Sequence, residues 1–216
     1  MRLKEIVDRE LAKTKEIVTS YNWEDPVAYG LWLTQTYNMV AHSTRLVALA
    51  GACVPLGQES LHARFVDHSK EERGHQLVCV NDLKNLGYKL EDFPVLFQSK
   101  AMYQIQYYWI QHKCAASFFG YTLALECLAE KYGPEVGLRV LTAHGKKAAQ
   151  FLLLHSEDDQ EHTETAFQHI KKLSPSEEAA AEENLILSCD IYRAMLVEAH
   201  SKVASLSHLR EVKKVG

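Results

Sequence analysis

The stretch HSEDDQEH, residues 155–162, holds two histidines and four acidic residues within eight positions. A helix turns by about 100° per residue, so His155, Asp159 and His162 fall within about 60° of arc. Their imidazole and carboxylate groups could therefore bind one metal ion from a single helix face. Asp158 fits almost as well, so geometry alone does not choose between the two aspartates. The alternative is a solvated acidic face with two incidental histidines.

A second group of polar residues surrounds His75 in HSKEERGHQLVCVNDL, residues 68–83. Glu72, Glu71 and His68 precede His75 by three, four and seven positions, so one continuous helix would place them on a shared face. A carboxylate and an imidazole one turn apart are typical of metal sites in helical bundles, because both groups then reach the same ion. The alternative is a patch of surface ion pairs.

The third element is Glu126, which lies in the otherwise apolar stretch FFGYTLALECLAEKYG, residues 118–133. Burial of an ionised carboxylate costs several kcal/mol unless the group is paired or binds a metal. The alternative is a glutamate at the rim of the fold with its carboxylate in water.

Together the three groups provide imidazole and carboxylate donors on three separate helices. This oxygen and nitrogen set suits iron, or manganese, and is large enough for two ions with open coordination positions. The five cysteines show no CxxC spacing, which argues against a structural zinc site. The six candidate metal ligands are Glu72, His75, Glu126, His155, Asp159 and His162.

The elements that must position these residues are predicted to be helices. Apolar residues return every three or four positions through most of the chain, and no alternating strand pattern competes. We therefore predict an all-α, single-domain bundle of six or seven helices over residues 1–216. The predicted helices are 2–20, 25–51, 57–86, 97–132, 143–172 and 174–207, with a possible short one in 134–142.

Composition excludes several classes of protein. A net charge of −4 with scattered basic residues argues against a nucleic-acid partner. There is no run of 18 apolar residues to span a membrane, and the N-terminus lacks the apolar core of a secretory signal. Five widely spaced cysteines fit reduced thiols better than a disulfide framework, so a cytoplasmic location is expected.

Three blocks resemble a known family: EERGHQLVCVNDLKNLG (71–87), FGYTLALECLAEKYG (119–133) and FLLLHSEDDQEH (151–162). They are similar to the heme-oxygenase-like diiron oxidases, including CADD-like members, which share a superfamily with the TenA thiaminases and the PQQ-synthesis oxidase. The run TYNMVAHSTRLVALA (36–50) also looks like that superfamily, so the resemblance covers about residues 25–165. It implies a heme-oxygenase-like helical fold.

The resemblance also implies a set of ligands. The family spacing H-x3-D-x2-H selects Asp159 over Asp158. Some members place a further glutamate at the position of Glu72, whereas others place it at the position that His68 occupies here. This difference leaves Glu72, Glu71 or His68 to complete the site. The other ligands that the resemblance implies are His75, Glu126, His155, Asp159 and His162.

For the activity, the resemblance implies that two ferrous ions activate O2 to oxidise a small amino-acid, amine or fatty-acid substrate. An external electron donor and a homodimer are further expectations. Aromatic residues are candidates for the walls of the substrate pocket, although each could equally belong to the core. They are Trp32, Tyr37, Tyr107, Tyr108, Phe118, Phe119 and Tyr121.

Three other functions compete with this interpretation. A metal-free, TenA-like hydrolase would use Cys127 as its nucleophile, but neighbouring helix positions diverge by about 100°, so Cys127 and Glu126 should not share a pocket. A heme oxygenase would need a proximal histidine near the N-terminus, and the first helix has none. A non-enzymatic helical binding protein would carry its histidines incidentally.

Overall fold

The structure, a computed structural model, describes the backbone of residues 2–212 and the side chains of these residues except 156–162, 211 and 212. Within this part the chain forms ten α-helices and no β-strand, which confirms the all-α prediction. Short 3-10 turns occur at Leu90–Asp92, Ala115–Ser117, Lys146–Ala148 and Val203–Leu206. The helices are α1 Arg2–Ser20, α2 Pro26–Val40, α3 Ser43–Cys53, α4 Glu59–Glu71, α5 His75–Leu86, α6 Phe97–His112, α7 Phe118–His144, α8 Gln150–Ile170, α9 Pro175–Lys202 and α10 His208–Val212.

The long helix α7 lies at the centre of the bundle. It packs against α8 and α9, while α1 packs across both α7 and α9. On the other side α2 packs against α5 and α6, and α3 against α4. Apolar side chains from all of these helices form one continuous core. The candidate ligands are thus presented by helices that the core holds together.

The helices outnumber the six or seven predicted because three long predicted segments are each divided. The segment 25–51 is divided at Ala41 and His42, between α2 and α3. The segment 57–86 is divided by Gly74, whose φ of 95° interrupts the helical path. The segment 97–132 is divided between α6 and α7 by backbone that is extended at Cys114.

The predicted helix 97–132 stops just before Pro134, but in the structure α7 continues through this proline to His144. A proline inside a helix removes one backbone hydrogen bond. Packing of α7 against α1, α8 and α9 offsets this loss, because tertiary contacts supply most of the stability of a helix in a protein. At this point the Tyr132 hydroxyl donates a hydrogen bond of 2.7 Å to the Leu11 carbonyl on α1.

The predicted start of the last long helix is confirmed in atomic detail. The Ser174 side chain accepts a hydrogen bond from the Glu177 N–H, and the Glu177 carboxylate accepts one of 2.8 Å from the Ser174 N–H. This reciprocal cap satisfies backbone donors that the first turn leaves without partners. Pro175 follows as the first residue of α9.

Helices α7 and α9 approach so closely at Gly120 that no side chain fits there. A Cβ atom on Gly120 would lie 2.2 Å from the Ala181 carbonyl oxygen and 2.5 Å from the Leu185 nitrogen. Both are backbone atoms of α9 and cannot move aside. None of the helices in the described part of the chain is long and apolar enough to cross a membrane.

Candidate metal centre

Glu72 and His75 lie on either side of a break between two helices. Glu72 caps the end of α4, Gly74 adopts a left-handed conformation, and α5 begins at His75. The prediction that both residues share one continuous helix was therefore wrong. The turn nevertheless brings them together, because His75 Nδ1 lies 3.7 Å from Glu72 Oε2.

His68, one turn before Glu72 on α4, links this turn to α7. Its Nε2 atom lies 3.4 Å from Glu72 Oε1 and 3.4 Å from Glu126 Oε1. His68 is 5% exposed and Glu126 is 8% exposed, so Glu126 does not sit at the rim with its carboxylate in water. The sequence left His68 as one of three residues that could complete the site, at a position where some family members are expected to carry a glutamate. The structure makes it a member of the cluster.

Glu71 is directed to a different partner. Its Oε2 accepts a hydrogen bond of 2.9 Å from Arg64 Nη1, and 39% of its side chain is exposed. Of the two glutamates that the sequence left open, Glu72 contacts both His68 and His75, whereas the described contact of Glu71 is with Arg64.

Helix α8 brings His155 to the same place. The His155 ring lies 5.1 Å from the His75 ring, centroid to centroid, in an edge-on arrangement. It also stacks on Phe151 at 4.1 Å, and its Nδ1 bonds to the Phe151 carbonyl at 2.9 Å. Asp159 and His162 follow on the same helix at spacings of four and seven residues, but their side chains lie outside the described residues.

Burial and mutual contact shift the pKa values of the cluster. Burial raises the pKa of Glu126 to about 7, against the lowering influence of nearby His68. Burial also opposes ionisation of Glu72, but the hydrogen bond and positive charge of His68 lower the pKa of Glu72 to about 2. The two carboxylates raise the pKa of His68 although burial alone would lower it. The metal-free cluster thus holds protons that an ion would displace.

The cluster opens into a cavity of about 120 Å³. His68, Glu72, Glu126 and His155 all contribute to its wall. The rest of the wall is mainly apolar and comes from α1, α2, α3, α7, α8 and α9. Of the predicted aromatic wall residues, Trp32, Phe118 and Tyr121 line this cavity. Tyr37, Tyr107 and Phe119 contribute no described atom to its wall. Tyr108 is 58% exposed at the surface.

Comparison with known families identifies the chain. Residues 31–196 match the model of a family described as iron-containing redox enzymes. The chain belongs to that family. No curated protein matches the sequence significantly.

Solved structures show the same fold at low sequence identity. A domain of unknown function with a heme oxygenase-like fold from Shewanella denitrificans has 17% identity and a TM-score of 0.81, with 94% of this chain and 93% of that chain covered. A TenA homolog from Pseudomonas syringae has 16% identity and a TM-score of 0.77, covering 92% and 91%. A TenA homologue from Pyrococcus furiosus has 15% identity and a TM-score of 0.65, covering 90% and 99%. The predicted heme-oxygenase-like fold is confirmed.

A non-heme iron centre is commonly built from imidazole and carboxylate donors that converge inside the protein, and the chemistry of this cluster fits such a centre. Two buried atoms, Glu126 Oε2 and His75 Nδ1, have no hydrogen-bond partner among the described residues. Such atoms are costly to bury unless another ligand satisfies them. Among the described side chains, no group of three His, Cys, Asp or Glu residues is close enough together to hold one ion. The side chains of Asp159 and His162 are not among those described.

Proposed function

We propose that this iron-containing redox enzyme is a non-heme diiron oxidase or oxygenase that uses O2 to oxidise a small organic substrate. The observation that carries the proposal is the buried cluster of imidazoles and carboxylates in the wall of an apolar cavity. Two iron ions, when bound, would supply the oxygen-reducing chemistry. Manganese would find the same donors.

The residues that would hold the ions come from four helices and one turn. His68 lies on α4, Glu72 in the turn that follows, His75 on α5 and Glu126 on α7. Helix α8 would add its three candidates, which are His155, Asp159 and His162. This donor set includes His68 in addition to the six ligands predicted from sequence. It places a histidine where some family members are expected to carry a glutamate.

The cavity wall favours a substrate with a substantial apolar part. Along α7 it runs from Phe118 to Val136, which corresponds to about 27 Å of helix. The indole N–H groups of its two tryptophans are bound to the protein itself: Trp23 Nε1 donates to the Val18 carbonyl at 2.7 Å, and Trp32 Nε1 donates to the Tyr192 hydroxyl at 3.1 Å. The part of the wall formed by these rings therefore offers hydrocarbon and aromatic surface.

Polar contacts for a substrate are available near the cluster. The Tyr121 hydroxyl and Thr36 Oγ1 are buried and have no hydrogen-bond partner among the described residues, and both residues line the cavity. Burial and the Glu72 carboxylate raise the pKa of Tyr121, so its hydroxyl keeps its proton and can donate it in a hydrogen bond. Among the described residues no lysine or arginine lines the cavity. A charged substrate group would thus have to bind at the metal centre.

The chain's own residues would orient the substrate and keep water from the reacting groups. The apolar wall would hold an aliphatic or aromatic tail, while Tyr121 and Thr36 would hydrogen-bond the polar end. A substrate that yields two electrons requires two more from an external donor to reduce O2 to water. A homodimer and a cytoplasmic location are further proposals.

Among the described residues, no cysteine that could serve as the nucleophile of the rival metal-free hydrolase lines this cavity. Glu126 lines the cavity, whereas its neighbour Cys127 does not, as the rotation between adjacent helix positions requires. None of the five cysteines contributes a described atom to the wall, and none of them forms a disulfide bond among the described residues. The geometry therefore favours the oxidase over a thiaminase-like hydrolase.

Oxygen uptake tests the proposal directly. The chain loaded with Fe2+ without oxygen should consume O2 when air is admitted, and His155→Ala should reduce this consumption at least tenfold. His112→Ala, which changes an exposed histidine on α6, should behave as the parent protein. Equal O2 consumption by the parent and His155→Ala would contradict the proposal.

A further inference from the structure

A carboxylate outside the cluster holds the first turn of α8. Asp82 lies on α5 and is fully buried. Its Oδ2 accepts a hydrogen bond of 2.8 Å from the backbone N–H of Phe151, the second residue of α8. The first N–H groups of a helix have no partner within the helix and favour a negative charge. Asp82 therefore caps α8 from a different helix.

The same residue of α8 also determines the state of His155. The Phe151 carbonyl lies 2.9 Å from His155 Nδ1. A carbonyl can only accept a hydrogen bond, so the His155 ring must carry its proton on Nδ1. That tautomer keeps its lone pair on Nε2, the nitrogen that could then ligate a metal. The Phe151 ring, stacked on the imidazole, restricts its orientation further.

Asp82 and His75 share one face of α5. They are seven residues apart, which is two helical turns, so their side chains leave the helix on the same side. Helices α5 and α8 are thus joined at two levels. At one level the rings of His75 and His155 meet, and at the other Asp82 bonds to Phe151.

The bond between Asp82 and Phe151 is not explained by stability alone. Asp82 Oδ1 has no hydrogen-bond partner among the described residues, so the carboxylate is only partly compensated for its removal from water. Burial raises the pKa of Asp82 to about 6, although the N–H groups of Phe151 and Gln150 lower it. A fully apolar contact between α5 and α8 would avoid this cost.

We propose that Asp82 is a positioning residue of the metal centre, which sets the location and the tautomer of His155 through Phe151. The inference rests on the proposed function, because it takes His155 as a metal ligand. Mutation of a residue that orients a metal ligand without touching the metal itself typically lowers metal affinity by about 10- to 100-fold.

The test compares Asp82→Ala with Asp82→Asn by anaerobic Co2+ titration, with Co2+ absorption as the readout. Asparagine retains an oxygen that can accept the Phe151 N–H, whereas alanine does not. Asp82→Ala should bind Co2+ at least tenfold more weakly than the parent, and Asp82→Asn within about threefold of it. If Asp82→Ala does not fold, Asp82→Leu removes the acceptor while filling the space. Leu196→Ala, in the core of α9, is the control for a general loss of stability.

A second readout requires no metal. Nitrogen-15 spectra of the histidine rings should show His155 with its proton on Nδ1 in the parent and in Asp82→Asn, and a mixture of tautomers in Asp82→Ala. Unchanged Co2+ affinity and an unchanged tautomer in Asp82→Ala would overturn the inference, and so would an equal loss of affinity in Leu196→Ala. A parent chain that binds no Co2+ but shows the tautomer change would instead overturn the proposed function and leave Asp82 as a residue that positions His155.

Discussion

Nε2 of His68 lies 3.4 Å from Oε1 of Glu126, and this contact joins α4 to α7 inside the core. The same nitrogen also lies 3.4 Å from Oε1 of Glu72, so one imidazole contacts two carboxylates. In the metal-free cluster the pKa values of His68 and Glu126 are both raised, so both groups hold protons that an entering ion would have to displace. Metal affinity should therefore increase with pH.

Glu126→Gln should stabilise the metal-free chain at pH 8 and have little effect at pH 5. The pKa of Glu126 is raised from 4.5 to about 7, so the folded chain binds a proton there that the unfolded chain has released. The stability linked to this proton is present below pH 4.5 and is lost as the pH rises through 7. The full loss is about 3 kcal/mol, which glutamine avoids because it is never charged. Urea unfolding at both pH values measures the difference, and equal effects at pH 5 and 8 would contradict the buried location of this carboxylate.

Asp159→Ala should reduce bound iron far more than Asp158→Ala. Helix α8 runs without interruption through these positions, so Asp159 keeps the four-residue spacing to His155. Each variant removes one carboxylate, and the two positions are adjacent in sequence. Each variant is therefore the control for the other. Iron content per chain after anaerobic loading provides the measurement, and the reverse ranking would mean that the register of α8 at the metal centre is wrong.

Gly74→Ala should destabilise the fold by about 1–2 kcal/mol and weaken metal binding. Gly74 has a φ of 95°, which a residue with a Cβ atom adopts only with strain, and it forms the turn between Glu72 and His75. Gly137→Ala is the matched control, because its Cβ would meet only Leu152 Cβ, at 3.9 Å. That change inside α7 should be neutral or slightly stabilising. Thermal unfolding of both variants with and without Co2+ checks the prediction, which fails if the two glycines tolerate alanine equally.

Ala129→Leu should block the cavity without removing metal. Ala129 lines the wall on α7, one turn beyond Glu126, so a larger side chain there occupies space that an apolar substrate would need. Binding of a series of alkyl carboxylates and alkylamines, followed by thermal shift of the metal-free chain, should be weaker in this variant by tenfold or more. Ala143→Leu, at an exposed position near the end of α7, should not change it. Equal binding by both variants would show that apolar ligands do not use this cavity.

Much of the fold could be predicted from sequence because apolar residues recur at helical spacing and α2 and α9 begin at clear caps, Asp25 and Ser174. The first helix, residues 2–20, and the capped start at Ser174 are correct to the residue or nearly so. The break at Gly74 had a local signal, a glycine in the middle of a predicted helix. The break before Phe118 had none, because HKCAAS contains neither proline nor glycine. Pro134 gave a misleading signal, since tertiary packing outweighs the local cost of proline in α7.

Site residues that lie on one helix could be predicted from their spacing in the sequence. The arrangement of residues that meet through a turn between two helices was harder to predict. Glu72, His75, Glu126 and His155 meet in the structure, although Glu72 and His75 do so through a turn that the sequence did not predict. Asp82 went unrecognised despite a signal in its position, two turns after His75 on the same face of α5. Its role depends on α8 packing beside α5, and no local pattern in the sequence encodes that contact.

Anaerobic titration with Fe2+, followed by rapid mixing with O2, tests the central claim most directly. We expect two irons to bind per chain and a short-lived band to appear in the visible region when O2 arrives. His155→Ala should lose both signals, while His112→Ala should keep them. No stoichiometric iron uptake and no transient band in the parent chain would contradict a diiron centre at this cluster.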